Sequence, residues 1–379
     1  MRAALIETCG RPPVLAGRPD PAPDPGWEQV RVLAAPITPL DLLCASGTSY
    51  FGAPALPYVP GVQGVGTVGG RLVWFPTPAG MAPGDGSMAE LALARAEDLV
   101  ELPAGADPVA VAALGLSAVA AYLALTWRGE LAAGEQVLVL GAGGVVGQAA
   151  VQLARIAGAR RVVAAARSAA GLARAKEAGA DAVVALDTLD PDGAGGWDAT
   201  GGWDGTGAQG GAGGTGSRGD QGGAGGAGSR GGHGGAGGRG SAVGREAGVA
   251  ALAARLAAAC DGPVDLVLDP LFGLPAAAAA RTLRPSGRLV NLGSSAGETS
   301  PLDSATLRSR SLRVLGYTNN ELSREQRAAA MGRIAELAAQ GRLRVAHEAV
   351  PLSEIAPAWE RQSAGTTSGR LVVTPRPGP

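Results

Sequence analysis

Apolar and small residues alternate in blocks along residues 136–168, and the order of the blocks is informative. A short apolar run, Val137 to Leu140, enters a glycine cluster. An amphipathic segment follows, then a second apolar run from Val162 to Ala166. That order predicts strand, tight turn, helix, strand, the βαβ unit that holds a dinucleotide pyrophosphate. The glycines fall at Gly141, Gly144 and Gly147, with Gly143 extra, so the spacing is not a strict G-x-G-x-x-G. Gly141 permits the sharp turn, Gly144 lets backbone N–H groups approach phosphate, and Gly147 allows close helix–strand contact. The helix N-terminus, with Val145 and Val146, offers unpaired N–H groups and a positive dipole end to an anion.

The strand-and-helix rhythm continues downstream. Residues 181–186 read as a third strand, 264–269 as a fourth, 287–293 as a fifth and 311–317 as a sixth. Helical patterns at 246–260 and 275–284 lie between them. Six strands in series with helical crossovers predict an α/β fold with a doubly wound parallel sheet. The first 118 residues have another texture, rich in Pro and Gly, with short alternating runs at Val30–Ala34, Val65–Val68, Arg71–Phe75 and Met88–Leu93. A helix over 322–340 and short strand-like pieces, ending in 370–375, close the chain.

One stretch breaks the rhythm. Residues 190–248 hold 27 of the 62 glycines and almost no aliphatic side chains. GGWDAT (195–200) is repeated as GGWDGT (201–206), and GGAGG recurs at Gly210, Gly222 and Gly234. Little apolar surface is available to offset the entropy of ordering, so a disordered, low-complexity insertion is expected on the connection after the third strand. Trp197, Trp203 and His233 read there as solvated bystanders.

Composition narrows the function classes. A chain of 379 residues suggests two domains, and a net charge of −1 leaves no footprint for nucleic acid or anionic membrane. Cys9, Cys44 and Cys260 are odd in number and far apart, which fits a reducing cytoplasm rather than a disulfide framework. Glu7 interrupts the N-terminus before an apolar signal region could form. Residues 109–125 are apolar but short for a bilayer, and read as a buried helix.

The end of the second strand of the βαβ unit bears on the nucleotide. A site for NADH places a carboxylate there, whereas a 2′-phosphate calls for a cation. The strand ends Ala166-Arg167-Ser168, with no acid, a guanidinium and a hydroxyl. NADPH is therefore favoured, with a solvated loop charge as the bland reading of Arg167. Ligands of such sheets sit beyond the carboxyl ends of the strands. The fourth strand delivers Asp269, the fifth Gly293 and Ser294, and the sixth Tyr317 to Asn320. Asn319 and Asn320 could reach substrate or ribose, or simply cap a turn.

The segments AAPITPLDLLCASG (34–47), LPYVPGVQGVGTV (56–68), APGDGSMAEL (82–91) and RTLRPSGRLVNLGS (281–294), with the glycine turn, resemble the quinone oxidoreductase branch of the medium-chain dehydrogenase/reductase superfamily. The resemblance covers the chain outside 190–248. It implies a GroES-like irregular β catalytic domain from 1–118 and 321–379 around a Rossmann NADP-binding domain from 119–320. It also implies a clamp for the cofactor carboxamide at Gly293-Ser294, a small-molecule substrate and a homodimer. Zinc-dependent members carry a Gly-His-Glu motif where this chain has Gly61-Val62-Gln63, and only His233 and His347 exist in the chain. The expectation is a metal-free enzyme, with Cys44 as a small buried hydrophobe.

Quinone oxidoreductases have Asn-Pro-x-Asp and then a Tyr beside the nicotinamide pocket. Here the match is Thr38-Pro39-Leu40-Asp41, then Tyr50. Thr38 keeps a hydrogen-bonding side chain with less reach. Asp41 reads as a backbone acceptor at a helix start, or as a catalytic group. Tyr50 could stack on substrate, donate a proton, or only pack. The resemblance implies hydride transfer from NADPH to a quinone or enone. An alcohol or carbonyl oxidoreductase and a catalytically idle nucleotide binder remain the alternatives.

Overall fold

The computed structural model describes residues 1–186 and 237–375, with side chains from 244 onward in the helix that begins at 237. The N-terminal third is built of short strands. β1 (Arg2–Leu5) and β2 (Val14–Gly17) form an antiparallel pair. β3 (Trp27–Pro36) leads into the helix α1 (Pro39–Ser46). β4 (Gln63–Val68), β5 (Arg71–Pro76), β6 (Leu91–Arg95) and β7 (Val100–Glu101) follow. Next comes α2 (Pro108–Leu123), continued by a π-helical turn at Ala124–Arg128.

The parallel region opens with β8 (Gln136–Val139), α3 (Val145–Ile156), β9 (Arg161–Ala166), α4 (Ala169–Glu177) and β10 (Ala182–Ala185). After residues 187–236 it resumes with α5 (Gly237–Ala259), β11 (Val264–Asp269), α6 (Gly273–Ala280), β12 (Leu283–Asn291), α7 (Ser304–Ser309) and β13 (Arg313–Gly316). The chain closes with α8 (Arg324–Ala339), β14 (His347–Pro351), α9 (Ile355–Ser363) and β15 (Arg370–Thr374).

Two large sheets result. One has six strands in the order β10-β9-β8-β11-β12-β13, every pair parallel. Helices α2, α3 and α8 pack on one of its faces and α5 and α6 on the other, so strand residues such as Leu138 and Val139 are buried on both sides. The other sheet runs β14-β15-β3-β4-β5-β7, with β6 also paired to β3. Its join between the chain ends is antiparallel, Val372 opposite Pro36 and Val373 opposite Ala35. Ile6, Ile37, Phe75, Met88 and Trp359 fill its core.

Register decides which residues emerge together. Val139 pairs with Ala164 and with Leu268, Leu268 with Val290, and Val290 with Leu315. Strands in step leave the sheet in step. Gly141, Arg167, Pro270, Gly293 and Tyr317 therefore exit on one edge, the binding edge of a doubly wound sheet.

The chain departs from the sequence pattern at two places. The helix expected from 246 starts at Gly237, which removes the end of the expected insertion from loop; once nucleated, a helix extends at one hydrogen bond per residue. The rest of that insertion, with Trp197, Trp203 and His233, lies outside the described residues. The apolar segment 109–125 is a buried helix, but a broken one: Gly115 takes φ 34°, ψ −139°. Among the described residues, Pro108–Arg128 is the one helix whose length and composition could cross a membrane, and 67% of its apolar window is buried in the protein.

Candidate active site

The glycine turn is a backbone structure. Gly141 has φ +61°, a left-handed conformation that side-chain-bearing residues avoid. A Cβ on Gly147 would lie 2.4 Å from Ala142 Cα, so α3 could not seat against the turn with any larger residue. A Cβ on Gly143 would lie 2.7 Å from Gly171 Cα, at the start of α4. Gly144 is the N-cap of α3 and carries no side-chain cap, leaving the first N–H groups, those of Val145 and Val146 among them, for a ligand. A missing Cβ at each close approach, together with an uncapped helix start, fits a dinucleotide pyrophosphate. Gly171 escaped the sequence reading; its signal is a glycine three residues after Ser168, on the first turn of a helix.

At the end of β9, Arg167 is exposed. Ser168 is the N-cap of α4, its Oγ accepting from Gly171 N at 3.0 Å. That bond uses an acceptor lone pair and leaves the hydroxyl proton to donate.

Asp269 departs from its expected place among cofactor contacts. It has 0% exposure, and its Oδ1 accepts from Leu271 N and Phe272 N, both at 2.9 Å. Asn291 Nδ2 donates to Oδ2 at 3.2 Å. Burial pushes its pKa up, while the Phe272, Leu271 and Asn291 hydrogen bonds pull it back. Asp269 shapes the turn after β11. Gly293 sits against that turn, since a Cβ there would be 2.8 Å from Pro270 O. Ser294 Oγ donates to Glu298 at 2.7 Å.

The opposite wall is made by side chains. Thr38 caps α1 and forms a capping box with Asp41. Asp41, 2% exposed, accepts from Thr38 N (2.8 Å) and Thr38 Oγ1 (2.6 Å) on one oxygen, and from Gly61 N (3.0 Å) and Val62 N (2.9 Å) on the other. Burial raises its pKa and these bonds oppose the rise. Four donors close around one carboxylate, two on each oxygen, so its geometry is that of a backbone acceptor. Thr38 is likewise buried and turned toward Asp41. Cys44 is buried in α1, and burial pushes its thiol up to about 11.

The break at Gly115 organises the join between the two sheets. A helix interrupted there frees the backbone groups of Leu116. Gln63 Oε1 accepts from Leu116 N and from Trp74 Nε1, both at 2.9 Å. Asn319 Nδ2 donates to Leu116 O at 3.3 Å and its Oδ1 accepts from Tyr317 Oη at 2.7 Å. Arg370, fully buried, donates to Ser117 Oγ (3.0 Å) and Ile37 O (2.8 Å); burial pulls its pKa down to about 10. Gln63, Gly115 and Arg370 escaped the sequence reading. A glycine inside an Ala-rich helix, which costs about 1 kcal/mol relative to alanine, was the available signal.

Tyr50 stands apart from these locked groups. It is 74% exposed and lies beside Phe51, ring centroids 4.2 Å apart. Asn320, beyond β13, donates from Nδ2 to Tyr50 Oη at 3.3 Å. The structure thus brings Tyr50 to the exit edge of the parallel sheet. It does not bring it to Thr38 and Asp41 as a hydrogen-bonded triad.

Donors for zinc do not fit. Val62 stands where a histidine ligand would be needed, the Gln63 carbonyl already serves Leu116 and Trp74, and the Thr38 hydroxyl serves Asp41. His347 lies on β14 with Nδ1 2.9 Å from Val345 O. Among the described residues, no group of three or more His, Cys, Asp or Glu side chains could hold a metal ion.

Two family models described as zinc-binding dehydrogenase match residues 145–196 and 245–373. The quinone oxidoreductase of Lama guanicoe is 37% identical over 164 residues, 41% of this chain and 49% of that protein. A probable NADPH-dependent quinone reductase of Emericella nidulans is 32% identical over 206 residues, 45% of this chain and 57% of its own. The chain spans about half the length of the curated relatives it matches. Among solved structures, the quinone oxidoreductase of Thermus thermophilus, described with its NADPH complex, superimposes with a TM-score of 0.67 at 26% identity. That match covers 99% of this chain and all of the other.

Proposed function

We propose, because the chain belongs to the medium-chain dehydrogenase/reductase superfamily and within it to the quinone oxidoreductase-like branch, that it is a zinc-independent, NADPH-dependent oxidoreductase acting on a quinone or an enone. The observation that carries the reading is the glycine turn at the switch point of the six-stranded sheet, where β8 lies between β9 and β11. When bound there, NADPH supplies the hydride. The residues of the chain bind, orient and protonate.

The N–H groups at the start of α3 hold the pyrophosphate, with Gly141, Gly143, Gly144 and Gly147 allowing its approach. Arg167 and Ser168 take the 2′-phosphate. The Gly293-Ser294 turn orients the carboxamide. Asp41, Thr38, Gln63 and Arg370 are positioning residues, fixing α1 and the bend of α2 so that the wall facing the nicotinamide is rigid. Asn319 holds the exit of β13 against that bend. Asp269 serves the β11 turn.

Tyr50 is the proton donor in this scheme. Asn320 occupies a lone pair of its oxygen, so the phenol proton is directed away and can reach an oxygen of a reduced quinone or an enolate. A homodimer joined along the open edge of β13, where Val314 is exposed, is the assembly we propose, and sedimentation equilibrium tests it.

Steady-state consumption of NADPH across quinones, enones and aldehydes tests the function. Turnover with quinones or enones above that with aldehydes is expected. Turnover confined to aldehydes, or absent with every class, would overturn it.

A further inference from the structure

We propose that Arg174, on the second turn of α4, is a specificity-determining ligand for the 2′-phosphate of NADPH, a role nothing in the sequence pattern assigns to it. The inference rests on the nucleotide reading above and carries it to a residue seven positions past Arg167.

Arg174 is tied to the glycine turn. Its Nε donates to the carbonyl of Gly143 at 3.1 Å. The same carbonyl accepts from Gln148 Nε2 at 3.0 Å, so both of its lone pairs are occupied from protein. Arg174 can reach it because Gly143 and Gly171 meet with no Cβ between them. Ser168, Gly171 and Arg174 follow at intervals of three, which keeps successive side chains adjacent on a helix. The first closes the helix start, the second is the bare backbone that touches the turn, and the third reaches past it to Gly143.

This places a guanidinium in the seam between the pyrophosphate turn and the turn that follows β9. With Nε committed to Gly143, the Nη1 and Nη2 donors carry no partner among the described residues. A fork of N–H groups held in place by its third nitrogen suits a phosphate dianion, and a lysine could not both brace the turn and present a fork. The cation belongs to α4, the helix that starts at Ser168, so the phosphate it meets is the one on the adenosine ribose. A role at the pyrophosphate is the competing assignment, and the two predict different losses.

Arg174→Gln removes the charge and keeps an N–H donor for Gly143 O, so the turn stays braced. Dissociation constants of NADPH, NADH, 2′,5′-ADP and ADP are measured by calorimetry for the wild type, Arg174→Gln and Arg174→Lys. Loss of one charge-assisted contact should weaken NADPH and 2′,5′-ADP about tenfold or more while NADH and ADP stay near their wild-type values. Arg174→Lys should recover part of the loss. Equal weakening of all four ligands would assign Arg174 to the pyrophosphate or to the turn alone, and no change would remove it from the site; either overturns the proposal. A wild type that binds NADH as tightly as NADPH would overturn the nucleotide reading itself, whatever the variants do.

Discussion

The two walls of the candidate site are built by different means. On the α3 side the structure depends on absent side chains: Gly141, Gly143 and Gly147 sit where a Cβ would be strained or would collide. On the α1 side it depends on side chains that replace backbone partners. Asp41 gathers N–H groups from Thr38, Gly61 and Val62, and Gln63 and Asn319 satisfy a helix broken at Gly115. The first wall uses a local motif. Apart from the local Thr38–Asp41 capping box, the second joins residues tens to hundreds of positions apart and has no short pattern to read.

The largest effect is expected at Asp41. Asp41→Ala leaves three buried N–H groups without an acceptor, each at about 1–3 kcal/mol, so urea denaturation should show a loss of about 3 kcal/mol or more. Unchanged stability with lost turnover would instead make Asp41 a chemical group and erase the contrast. Tyr50 is next. If its proton is transferred, Tyr50→Phe should lower kcat by about 10², within the usual range for a general acid, with KM and stability little changed. A kcat that does not move would assign the proton to solvent.

The glycine wall predicts a smaller and different effect. Gly147→Ala forces a methyl against Ala142 and should cost about 1–3 kcal/mol, with NADPH affinity falling alongside. Stability lost without any change in affinity would mean that the turn packs but does not bind.

The same contrast explains what could be read from the chain. The six parallel strands, the turn, the capping role of Asp41 and the mismatch at the zinc motif were legible because each is local in sequence. Asp269 misled because a carboxylate at a strand end serves equally as a turn acceptor, and only burial distinguishes the two. The sequence offers Ser168 only as a candidate phosphate donor, and its use as a helix cap emerges with Gly171 N placed against it. Gln63, Arg370 and Arg174 have no local signature. Their partners lie at Leu116, at Ile37 and Ser117, and at Gly143, contacts that tertiary structure creates.

Under the proposed function, hydride transfer is organised by position, without a metal. Protein exhaustively dialysed against chelator, with its zinc content determined by elemental analysis, is assayed for NADPH-dependent reduction of a simple benzoquinone. Turnover equal to that of the untreated protein is expected at well under one zinc per chain. Turnover that disappears on chelation and returns with stoichiometric zinc would contradict it.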